Sequence, residues 1–137
     1  MSEAITVSAE INSPVAKVWD YYTQPEHITQ WNNASEDWHT PRAENDLRPG
    51  GHFLSRMESR DGTQGFDFTG TYEAVEEHKL IKYTMDDDRK VTITLSEADG
   101  KTKMDVTFDP ETENTPELQR SGWQAILDNF KSYVESH

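Results

Sequence analysis

The sequence predicts an α+β fold: a curved antiparallel sheet of about six to seven strands wrapped around a long C-terminal helix. Two observations carry that expectation. Between Trp38 and Phe108, apolar and polar residues alternate in short runs separated by turn residues, the pattern of strands with one buried face. Between Thr115 and Glu135, apolar residues recur instead at i, i+3, i+4 and i+7, as on a helix with one apolar stripe. The 137 residues are the usual size of one compact domain, and no linker, repeat or low-complexity tract divides them. Residues 1–137 are therefore read as a single unit.

The elements follow in order. A first strand spans Glu3 to Ile11, with Ile5, Val7, Ala9 and Ile11 on one face. Asn12-Ser13-Pro14 then starts a short helix, Ser13 as the cap and Pro14 at the first helical position, where a missing N–H costs nothing. Val15, Val18, Trp19 and Tyr22 form its apolar stripe. Pro25 pushes the residue before it out of helical geometry, ending that helix and opening a second one through Ile28 and Trp31.

Gly50-Gly51 let the chain reverse through positive φ ahead of a strand with Phe53, Ser55 and Met57 on one face. Arg60-Asp61-Gly62 turns into a strand carrying Phe66, Phe68, Gly70 and Tyr72 in phase. Ile81, Tyr83 and Met85 alternate next, and Asp86-Asp87-Asp88 reads as a hairpin turn. Val91, Ile93 and Leu95 follow, then a turn at Ala98-Asp99-Gly100, then Met104, Val106 and Phe108. A sheet edge near Trp38 or Val91 is where a neighbouring chain could add, although nothing marks an oligomeric state.

The C-terminal helix is the strongest local signal. Thr115 can cap it, and Pro116 and Glu117 suit its first turn. Its stripe is Trp123, Ile126, Leu127, Phe130, Tyr133 and Val134. Burying six such side chains stabilises by at most ~10 kcal/mol, so the stripe belongs against the concave face of the sheet. Gly122 beside it leaves a gap where sheet, helix or ligand can come close.

Composition excludes several functions. Acidic residues number 26 against 13 basic ones, and the formal net charge is −13, so neither nucleic acid nor an anionic membrane surface is an expected partner. No run reaches the eighteen or so apolar residues of a membrane span. Met1 to Val7 is too short and polar for the apolar core of a leader, and a cytoplasmic location is expected. Without cysteine there is no disulfide, thiolate nucleophile or thiolate metal site.

Catalytic constellations are missing too. The sequence has no G-x-S-x-G, Walker loop, G-x-G-x-x-G or H-E-x-x-H. His27, His39, His52, His78 and His137 are scattered, with no pair at i, i+4, and the Asp86–Asp88 run lacks calcium-loop spacing. Asp67 and Glu73 are out of phase with the apolar face and should meet solvent. No catalytic residue, metal or cofactor is assigned.

Four motifs resemble one superfamily. Ile11-Asn12-Ser13-Pro14-Val15-Ala16-Lys17-Val18-Trp19 is similar to its "apolar, x, small, Pro … Val-Trp" opening. Pro25-Glu26-His27-Ile28 with Trp31 resembles its Pro-Glu … Trp helix. Asp46-Leu47-Arg48-Pro49-Gly50-Gly51-His52-Phe53 and Gly122-Trp123 with Leu127 resemble segments of one branch. The superfamily is the START-like (Bet v 1-like, SRPBCC) group of helix-grip proteins, and the branch is similar to activators of a heat-shock chaperone ATPase.

The resemblance implies an apolar cavity between sheet and C-terminal helix. The expected function is binding of a small hydrophobic molecule there. Trp31, Trp38, Phe53, Ser55, Met57 and Phe68 are expected as lining, with Tyr72, Tyr83, Met104, Trp123, Leu127 and Phe130. Two other functions stay open: a protein-interaction module of the co-chaperone kind, and a cyclase- or aromatase-like enzyme.

Overall fold

The computed structural model of the protein describes residues 4–33 and 35–137. Strand β1 (Ile5–Ile11) leads into two short helices, α1 (Val15–Thr23) and α2 (Pro25–Trp31). Six strands follow: β2 (Trp38–Asn45), β3 (His52–Ser59), β4 (Gly65–Glu76), β5 (Leu80–Met85), β6 (Lys90–Ala98) and β7 (Lys101–Phe108). Helix α3 (Pro116–Ser136) closes the order. Glu3, the expected start of the first strand, lies outside the described residues.

All seven strands form one antiparallel sheet in the order β1-β7-β6-β5-β4-β3-β2. β2 to β7 are a simple meander, and β1 adds beside β7. Register brings the apolar positions into rows: Ile5, Phe108, Val91 and Tyr83 are cross-strand neighbours, and Tyr72 extends the row onto β4. Irregular pairing between His39 and Arg42 and between Tyr72 and Ala74 adds local twist, which helps curl the sheet into a half-barrel. Ile11, Val18, Ile93, Met104, Phe108, Phe130 and Val134 are almost wholly buried inside it.

Helix α3 is held along the outer edge of β1. Arg120 Nη1 donates to Thr6 O at 2.9 Å and Gln124 Nε2 to Ser8 O at 3.0 Å, occupying strand carbonyls that no further strand pairs. At the other end of the helix, Asn12 N donates to Glu135 Oε2 at 2.8 Å. Thr115 Oγ1 caps α3 by accepting from Leu118 N, as expected. Leu127, Phe130 and Val134 of the stripe are buried, while Trp123, Ile126 and Tyr133 are only partly so.

Three expectations need correction. The start of α1 is Val15, Pro14 is its N-cap residue, and no side chain caps it locally. The Ser13 side chain does not serve, because this residue is buried with its carbonyl accepting from Thr102 Oγ1 at 2.8 Å. The free amide of Val15 is instead satisfied by Glu97 Oε2 at 2.8 Å, a carboxylate 82 residues away that local spacing could not announce. Val91 is not at an edge: β6 lies between β5 and β7, and the edges are β1 and β2. Gly122 is not a point where sheet or another helix comes close, since a Cβ there would meet nothing within 4 Å.

Two other glycines have structural causes. Gly50 adopts φ +84°, the reversal expected of the pair. Gly51 is needed for space, because a Cβ would lie 2.0 Å from Asp46 O and 3.0 Å from Arg48 O, both backbone atoms that cannot swing away. Among the described residues, no helix is long and apolar enough to cross a membrane.

Substituting the two kinds of glycine has opposite expected outcomes in urea unfolding. Gly51→Ala lowers stability by at least ~3 kcal/mol, because backbone must move. Gly122→Ala raises it by about 1 kcal/mol, the helix-propensity gain with no steric cost.

Candidate ligand cavity

The sheet is filled unevenly. At one end α1 and the last turns of α3 close it over Ile11, Val18, Met104 and Val134. At the other end, under the first half of α3, a cavity of about 350 Å³ remains. It is bounded by the ends of β3, β4 and β5 (Met57, Phe66, Phe68, Tyr83 and Met85), by Val106 of β7, and by Trp123, Ile126 and Leu127 of α3. Tyr22, Trp31 and Asn32 close its inner side, and Arg89, Glu111, Asn114 and Gln119 complete the lining. Phe66 is 51 % exposed, so the cavity opens to solvent on that side.

The walls are mainly aromatic faces. Tyr22 stacks on Trp31 at 5.0 Å and meets Phe130 edge-on at 5.1 Å. Trp123 stacks flat on Phe108 at 4.1 Å, and Phe68 stands edge-on to Trp123 at 6.4 Å. These contacts fix ring planes by packing, so the cavity has stiff walls.

Of the twelve expected lining residues, Trp31, Met57, Phe68, Tyr83, Trp123 and Leu127 meet around this cavity. The other six do not line it. Phe130 and Met104 are completely buried in packed core. Phe53 lies over Gly70, where a Cβ would come within 2.7 Å of its ring. Tyr72 is tied to Asn45 Oδ1 at 2.5 Å, and Ser55 is buried in the sheet. Trp38 lies in a shallow depression beside Ser59 and Arg60. Face assignment from alternation is sound for most of these, but position along the strand decides whether an inward side chain meets helix or void.

The lining residues not expected from the sequence are of two kinds. Tyr22, Phe66, Met85, Val106 and Ile126 were visible on apolar stripes, indistinguishable from core. Asn32, Arg89, Glu111, Asn114 and Gln119 come from loops or element ends, where no periodicity points inward. Gln119 is the organiser of the loop between β7 and α3. Its Oε1 accepts from Glu111 N at 2.8 Å, and its Nε2 donates to Glu111 O and Asn114 O at 3.1 and 2.9 Å.

Electrostatically the cavity is neutral inside and charged at its rim. Burial pushes the Tyr22 and Tyr83 hydroxyls well above the usual tyrosine range, and the nearby Tyr72 raises both further. Arg89 counters slightly for Tyr83. All these phenols therefore stay protonated at neutral pH. Arg89 Nε donates to Asp87 Oδ2 at 2.7 Å, which leaves the pair close to neutral. Asp67 and Glu73 face solvent, as expected from their phase. Among the described residues no three His, Cys, Asp or Glu side chains are grouped to hold a metal ion.

Residues 12–135 match the family model described as activator of Hsp90 ATPase homolog 1-like protein. The chain belongs to this family. Among solved structures, the AHSA1-like protein of Aeromonas hydrophila is 44 % identical, with a TM-score of 0.92 over 98 % of this chain and 93 % of that one. A Cytophaga hutchinsonii protein is 47 % identical, with a TM-score of 0.84 over 96 % and 92 % of the two chains. A Chromobacterium violaceum protein at 23 % identity and TM-score 0.84 shares the fold, covering 98 % of this chain and 99 % of that one. A search of curated proteins gave no match. Membership in this AHSA1-like branch agrees with the START-like, helix-grip assignment made from the four motifs.

The phenols give an expected alkaline response. Tyr22, Tyr72 and Tyr83 have folded-state values raised above the ordinary 10.0. Their contribution to stability is complete below the unfolded value and is lost as pH rises through the folded one. Unfolding free energy should therefore fall above pH ~10, and phenolate absorbance should rise for these residues only as the fold is lost. A Tyr22→Phe/Tyr83→Phe variant should lose less stability over the same pH range.

Proposed function

We propose that this protein binds a small hydrophobic molecule in the cavity beneath α3. The observation that carries this reading is the uneven filling of the sheet: a packed core at one end and about 350 Å³ of aromatic-walled space at the other. That volume is at the small end of the usual range for ligand sites, which are mostly apolar with a few polar groups. Trp31, Met57, Phe68, Tyr83, Trp123 and Leu127 supply contact surface in this reading, and Ile126 and Phe66 flank the entrance.

A second reading is supported by the family description: the domain docks on a larger protein as a co-chaperone. The net charge of −13 suits a basic partner surface and steered association at low salt. Stimulation of an Hsp90-type ATPase by this protein is its test, and an unchanged rate counts against it.

Ligand binding is tested by thermal unfolding with a panel of fatty acids, sterols and aromatic polyketides. A ligand at 100 times its dissociation constant stabilises by about 2.7 kcal/mol, a rise of several degrees in Tm. Ile126→Trp should fill the cavity and abolish that rise while raising or preserving the basal Tm. A flat response across the panel, or a rise unchanged by Ile126→Trp, refutes the assignment.

A further inference from the structure

We propose that the ligand is an uncharged aromatic molecule whose oxygen atom is read by the hydroxyls of Tyr22 and Tyr83. This rests on the ligand-binding reading above. The two phenols reach the cavity from different walls, Tyr22 from α1 and Tyr83 from β5. Tyr83 is only 6 % exposed. Among the described residues, neither hydroxyl makes a hydrogen bond within the protein. Tyr72 and Tyr133 differ: Tyr72 is bonded to Asn45 at 2.5 Å and Tyr133 to His27 at 2.7 Å. Neither oxygen is sealed in packed core, because the one buried side-chain oxygen without a partner among the described residues is Thr84 Oγ1; both hydroxyls are therefore open to the cavity and free to donate to a molecule that enters it. Asn32, also lining the cavity and buried, adds a carboxamide with no side-chain hydrogen bond among the described residues.

Charge selects the class. An anionic ligand would face Glu111 at the rim and a chain of net charge −13, and the one cation among the described lining residues, Arg89, is already engaged by Asp87. A cationic ligand would give up its hydration for an aromatic-walled interior whose one carboxylate among the described lining residues, Glu111, lies at the rim. A neutral molecule avoids both penalties. A carbonyl oxygen has two lone pairs and can accept from two phenols at once. The stacked and edge-on rings of Tyr22, Trp31, Phe68 and Trp123 offer flat surfaces to an aromatic body.

Three probes of similar size separate the possibilities: benzophenone with a carbonyl, diphenylmethane without one, and diphenylacetate with a negative charge. Affinities follow from titration calorimetry, and the carbonyl stretch of bound benzophenone reports hydrogen bonding directly. Benzophenone should bind about tenfold more tightly than diphenylmethane, with its stretch moved to lower frequency, and diphenylacetate most weakly. In Tyr22→Phe/Tyr83→Phe the preference and the frequency shift should both disappear. That variant removes unpaired hydroxyls without changing ring shape, so its fold should persist, which circular dichroism and Tm check. Equal binding of benzophenone and diphenylmethane overturns this inference but leaves the cavity reading standing. So does a preference that survives the double substitution, or tightest binding of diphenylacetate. Failure of all three to bind overturns both.

Discussion

The seat of α3 along β1 is the constraint from which the rest follows. A curled antiparallel sheet has one apolar face to cover and two edges to protect. One helix cannot cover the whole width of seven strands. Arg120 and Gln124 pin α3 against the free carbonyls of β1, and Glu135 ties its last turns to Asn12. The helix is thereby committed to one flank. Its inward side chains meet packed core beside the start of α1 and leave a gap under its own first half, which Tyr22 at the far end of α1 borders without filling. The cavity is the remainder of that geometry, and its position under the first half of α3 needs no separate cause.

The opposite flank is closed by the two short helices. α2 packs against β2, where Thr40 Oγ1 donates to Asn32 O at 2.5 Å and Asn45 Nδ2 reaches Thr23 O at 2.7 Å. Asn129 Nδ2 donates to Trp31 O at 2.7 Å, joining α3 to α2. Trp31 itself is fixed by its indole N–H on Tyr21 O at 2.8 Å. The aromatic walls are thus held from behind by polar bonds, which is what keeps an apolar space open instead of letting it collapse.

The fold was legible in the sequence because its signals are local. Alternation, the turns at Arg60-Asp61-Gly62 and Ala98-Asp99-Gly100, and the stripe on α3 each depend on neighbours a few residues apart. The cavity was only half legible for the converse reason. Alternation tells which face a residue takes, so Met57, Phe68 and Tyr83 were found with Phe53, Tyr72 and Met104, although only the first three meet the void. The long-range cap from Glu97 to Val15 and the loop bonds of Gln119 have no periodic trace at all. Gly122 misled because a helical glycine suggests contact, while the space beside it is open.

The pairing of β1 with β7 has a consequence for how the chain is made. Ile5 is matched to Phe108, and Asn12 waits for Glu135, 123 residues further on. On the ribosome the first strand emerges long before either partner exists. Its alternating apolar face and unpaired backbone stay uncovered while the meander assembles, and they are sealed only once β7 and then α3 have followed. Loop closure over so many residues slows folding, and such waiting strands are the segments that aggregate or recruit chaperones. In the nascent chain the apolar face of β1 thus stays uncovered until at least residue 108 has been added.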